Sequence, residues 1–148
     1  MKINVRNKTF ETNSSSVHTL VISAEGLEPS NLPINKEGYI EATYGKFGKD
    51  GEIYDGQANK LSYLLTQCYY LGGWEYQLDR ESNYHFRYVE EAICDYTGAK
   101  GILIVGGEPE IDHQSYPEYE LRFVNEWDKK SIQNFVFNKY IALSCDCD

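Results

Sequence analysis

Hydrophobic residues recur along this chain at two distinct periods, and the alternation between them lays out the fold. Residues 2–6 and 17–23 are rich in Val and Ile with partial period-two alternation, which predicts strands. Residues 24–38 carry Gly26, Pro29, Asn31, Pro33 and Gly38 and predict a loop. Tyr39-Ile40-Glu41-Ala42-Thr43-Tyr44 alternates and predicts a third strand, followed by a glycine-punctuated loop or hairpin region over 45–56. The period then lengthens. Leu61, Leu64, Leu65, Cys68 and Leu71 lie three and four residues apart, which predicts a helix over 57–71 stopped by Gly72-Gly73. A second helix is predicted over 80–97, with His85, Tyr88, Val89, Ala92, Ile93 and Tyr96 as its apolar stripe, Asp79 or Ser82 as its cap, and Gly98 as its stop.

The run Gly101-Ile102-Leu103-Ile104-Val105-Gly106 is continuously apolar, the pattern of a strand covered on both faces. A shorter helix is predicted over 129–137 with Ile132, Phe135 and Val136 inward, and Tyr140-Ile141-Ala142-Leu143-Ser144 predicts a closing strand. The order β-β-β-α-α-β-α-β describes a single α+β domain, residues 1–148. Two to three helices would cover a mixed or antiparallel sheet of about five strands.

Composition changes this picture in one respect. Hydrophobic residues make up 41% of 148, enough for a core, but 23 acidic residues face 14 basic ones, a net charge of −9. Nucleic-acid binding, which needs a basic face, is disfavoured, whereas docking in a basic groove of another protein is allowed. Much of the excess lies over 108–128, where Glu108, Glu110, Asp112, Glu118, Glu120, Glu126 and Asp128 face only Arg122. Tyr116, Tyr119, Phe123 and Trp127 are interleaved with them, a pattern that suits an interface. No apolar stretch approaches membrane-spanning length and the first residues carry no secretory pattern, so a cytoplasmic protein with reduced thiols is expected. Cys68 and Cys94 fall on predicted apolar faces and are expected to be buried. The Cys145-Asp146-Cys147 pair matches no common zinc spacing, and neither metal nor cofactor is expected. The oligomeric state is left open by the sequence.

Three polar clusters could carry chemistry. The first is Asn13-Ser14-Ser15-Ser16-Val17-His18, whose side chains favour turns and caps over element interiors. The second is Asp112-His113-Gln114-Ser115, and the third pairs Asn134 with Asn138. If the first two converge, His18, His113, Asp112 and Ser115 form a candidate catalytic set for a nucleotide or phosphoester. His113-Gln114-Ser115 fits the His-x-Ser/Thr spacing of two-histidine phosphoesterases, but His18-Thr19-Leu20 does not.

Phe10-Glu11-Thr12-Asn13-Ser14-Ser15-Ser16-Val17-His18, with Ile111-Asp112-His113-Gln114-Ser115 later and Phe135-Val136-Phe137-Asn138 near the end, resembles a family of small proteins from bacteriophages and prophages of low-GC Gram-positive bacteria. The resemblance implies a phage accessory gene whose product works in the cytoplasm of the infected host. Genes in that setting often encode inhibitors of host defence, including anti-CRISPR proteins. The expected partner is then a host defence protein such as a CRISPR effector with a basic channel. The expected binding residues are Asn13, Ser14, Ser15, Ser16, Glu108, Glu110, Tyr116, Glu118, Tyr119, Glu120 and Trp127.

Overall fold

The computed structural model describes residues 3–6, 25–47, 53–71, 83–111 and 128–144. Within them the chain is mixed α+β, with three helices and seven short strands. In chain order these are β1 (Ile3–Arg6), β2 (Tyr39–Thr43), β3 (Lys46–Phe47), β4 (Ile53–Tyr54), α1 (Gln57–Leu71), α2 (Tyr84–Thr97), β5 (Gly101–Gly106), β6 (Glu110–Ile111), α3 (Lys129–Phe137) and β7 (Ile141–Ser144). The strand expected over 17–23 lies outside the described residues.

Helix α1 is the centre of the core. Its predicted stripe is buried at Leu61, Leu64, Leu65 and Cys68 and half-buried at Leu71, but Lys60, Ser62, Tyr63, Thr66 and Gln67 are buried as well. The helix touches α2, α3, β2 and β6 at once, so it is covered on more faces than one amphipathic stripe requires. Tyr63 lies between Phe47 and Phe135, with ring centroids 5.3 and 6.5 Å away. Helix α3 buries Ile132, Phe135 and Val136 as expected, and Asp128 caps it by accepting from the Ser131 N–H at 2.7 Å.

Helix α2 departs from expectation at its start. Its cap is Asn83, not Asp79 or Ser82: the Asn83 side chain accepts from the Phe86 N–H at 3.0 Å. Its Nδ2 also donates to the Cys68 carbonyl at 2.7 Å, tying α2 to α1. The buried stripe is Phe86, Val89, Ala92 and Ile93. His85, Tyr88 and Tyr96 are only half-buried along its flanks. Gly98 ends the helix at φ +80°, donating to the Cys94 carbonyl at 2.8 Å. Asn83→Ala is expected to cost about 1 kcal/mol, the usual loss for a cap. Chemical denaturation would check it, and an unchanged midpoint would show that the cap contributes nothing.

The described strands do not form one five-stranded sheet. They form three small ladders. In the first, β7 lies between β1 and β4: Ile3 pairs in parallel with Ile141, while Tyr54 runs antiparallel against Leu143. In the second, β2 pairs in parallel with β5, from Tyr39 against Gly101 to Thr43 against Gly106, with a register break after Ala42. The third pairs β3 with β6 in parallel and involves the next stretch of the same two chain segments. Between the second and third ladders the backbones close up. Gly107 has φ +87°, and a Cβ there would fall 2.0 Å from the Tyr44 carbonyl oxygen, so only glycine fits. Strand β5 is not buried throughout as its apolar run suggests: Ile102 is buried, but Val105 is 57% exposed.

Candidate functional site

The polar pair expected near the last helix forms an internal clamp. Asn138 ends α3 in an extended conformation. Its Nδ2 donates to Asn134 Oδ1 and to the Glu25 carbonyl, both at 2.8 Å, and its Oδ1 accepts from the Tyr140 N–H at 2.9 Å. Both asparagines are buried. Their amides satisfy the backbone at the turn into β7, which is what buried polar groups require.

Sequence reading missed the group that completes this clamp. Lys60 is 1% exposed, and its Nζ donates to the carbonyls of Asn138 and Ile141, each at 2.9 Å. The ammonium also stands 5.9 Å from the centre of the Phe135 ring. It sits at the C-terminus of α3, where the helix dipole favours a cation and leaves carbonyls without donors. A signal was available: Lys60 precedes Leu64 by four residues, which puts it on the apolar stripe. An adjacent cavity of about 540 Å³ is bordered by Asn31, Asp55, Gln57 and Tyr140. Gln57 bridges the loop there, accepting from the Asn31 N–H at 2.8 Å and donating to the Pro29 carbonyl at 3.1 Å. These groups act on the fold.

The surface has a different character. On β6 and the residue two before it, Glu108 and Glu110 flank Lys46, at 3.3 and 3.6 Å from its Nζ. All three are exposed, Glu108 at 85%, and Glu108 is the main cause of a raised Lys46 pKa. A groove of about 700 Å³ runs along α2, bordered among others by Tyr84, Arg87, Tyr88 and Lys100. The Tyr84 and Tyr88 rings stack there at 6.2 Å and 17°. Glu90 Oε2 accepts from the Ile102 N–H at 2.9 Å, and Lys129 pairs with both Glu91 and Asp95.

His85 stands beside Tyr84, its ring 5.4 Å away, and partial burial lowers its pKa. Cys68 is buried as expected, while Cys94 is only partly so. Burial pushes both thiols up, Cys94 to about 11, so neither is an activated nucleophile. Among the described residues no cluster of His, Cys, Asp and Glu could hold a metal ion, and no helix is long and apolar enough to cross a membrane. Cys145 and Cys147 lie outside the described residues.

Of the sequence-predicted site residues, the structure places Glu108 and Glu110, both outward. Asn13, Ser14, Ser15, Ser16, His18, Asp112, His113, Ser115, Tyr116, Glu118, Tyr119, Glu120 and Trp127 lie outside the described residues, and with them the expected convergence of the first two clusters. No protein-family model, curated protein or solved structure matches the chain.

Proposed function

We propose that this chain is an interaction protein that binds a basic partner through an acidic, tyrosine-rich surface. The observation that carries the reading is the outward presentation of Glu108 and Glu110 where the acidic segment begins, countered by Lys46. Carboxylates so exposed keep their hydration and contribute little to folding. They can steer a cationic surface into register. The sequence beyond β6 continues with Glu118 and Glu120 beside Tyr116, Tyr119 and Trp127, residue types that anchor interfaces. The resemblance to phage accessory proteins supports a host defence protein as the target, with the chain acting in the host cytoplasm and a basic nucleic-acid channel as the complementary surface.

Capture of partners from a host lysate, followed by kinetics on the purified pair, tests this. Glu108→Lys with Glu110→Lys is expected to slow association severalfold at low ionic strength and to flatten its salt dependence. Dissociation should change less, because aromatic anchors govern release. An association rate indifferent to both substitutions at every salt concentration would leave these carboxylates a solubility feature.

A further inference from the structure

The groove along α2 carries both signs of charge, with Glu90, Glu91 and Asp95 lining it together with Arg87 and Lys100. Its carboxylates are engaged: Glu90 accepts from the Ile102 backbone, and Glu91 and Asp95 are held by Lys129. Its cations are not. Among the described residues neither Arg87 nor Lys100 has an ion pair or a side-chain hydrogen bond. Both are exposed, with the methylene stem of Lys100 resting over Gly38. Arg87 would ordinarily pair with Glu91 one turn along the helix, but Lys129 takes that partner. The groove therefore offers two uncommitted cations in a protein of net charge −9.

Beside these cations the aromatic surface is equally open. Tyr84 is 70% exposed, and its ring, nearly coplanar with that of Tyr88, presents a face on which a further planar group can stack. The volume of about 700 Å³ falls within the roughly 300–1,000 Å³ typical of small-ligand sites. A guanidinium offers a planar fork that suits phosphate oxygens, and an ammonium adds a point charge. Ring and cations together call for a ligand with a planar aromatic part and a compact anionic part.

We propose that this groove binds a nucleoside monophosphate, with the base stacked on Tyr84 and the phosphate held by Arg87 and Lys100. A free nucleotide is favoured over a strand because the net negative charge of the protein repels a polyanion at long range. This reading is independent of the acidic interface, which uses other residues.

Calorimetric titration of the full chain with AMP, GMP, CMP and UMP tests it, with inorganic phosphate and a short single-stranded oligonucleotide as further arms. At least one monophosphate is expected to bind saturably and more tightly than inorganic phosphate. Arg87→Gln and Lys100→Gln should each weaken that binding about tenfold, as expected for loss of a charge-assisted hydrogen bond. Tyr84→Ala should weaken the monophosphate and leave inorganic phosphate unaffected. All three side chains are exposed, so thermal melting should show folded variants; were one to fail, the other two carry the test. Absence of saturable binding by all four monophosphates at millimolar concentration would overturn the proposal. So would affinity unchanged by the substitutions, or tighter binding of the oligonucleotide than of any mononucleotide.

Discussion

Lys60→Met is expected to destabilise the protein by about 1–3 kcal/mol, measured as a lower denaturation midpoint with an unchanged slope. Methionine keeps the apolar stem among its neighbours, so the substitution isolates the ammonium. Two opposing terms decide the sign. Removing a buried charge recovers its desolvation penalty, which favours the variant. Against that, the Ile141 carbonyl loses the ammonium while staying buried, at about 1–3 kcal/mol, whereas the Asn138 carbonyl keeps the bond from the Ile141 N–H at 3.2 Å. The helix-terminal position strengthens the wild-type contact further. Combined with Asn138→Ala, the effects should be less than additive, because both side chains hold one turn. A variant as stable as the wild type would mean that the α3–β7 turn holds without the ammonium.

Gln67→Met is expected to act in the opposite direction, raising stability by about 1–2 kcal/mol. Gln67 is buried in α1, and among the described residues neither its Nε2 nor its Oε1 has a hydrogen-bond partner. A primary amide in that position loses its hydration without a return. Methionine has a similar length and volume and carries no group that needs a partner. For a chain of this size the gain corresponds to a rise in Tm of roughly 3–6 °C. A fall in Tm would show that the amide is satisfied by an internal water, and that its polarity is needed where it stands.

The two substitutions also mark where sequence reading succeeds and where it stops. Helices 57–71 and 129–137 and the strands at 39 and 101 are encoded locally, by apolar spacing and by glycine or capping residues at their ends. They could be located within a residue or two. The α2 start slipped because Asp79, Ser82 and Asn83 are all competent caps by residue type, and the bond from Asn83 to the Cys68 carbonyl of α1 is a tertiary contact that no local pattern shows. Strands β3, β4 and β6 have two residues each and exist only through their pairing, so no local pattern announces them. Lys60 was passed over because a charged residue is ordinarily read as surface, although its spacing from Leu64 placed it on the inward stripe. The α2 groove escaped for the converse reason. Arg87 and Lys100 are unremarkable in sequence and become distinctive only when the carboxylates around them are seen to have other partners. The acidic excess over 108–128 was legible as composition; of its described carboxylates, Glu108 and Glu110 stand outward and Asp128 caps α3.

The parallel pairing of Ile3 with Ile141 has a consequence for the order of events during folding. Helices α1 and α2 can form and dock as soon as they are made, since their contacts are local. Nearly the whole described chain separates β1 from β7, so their pairing closes a far longer loop than the helix contacts do. The ladder is therefore expected to close late in assembly. Refolding should show a fast phase that builds helical signal and a slower one that protects the amides of β1 and β7 together.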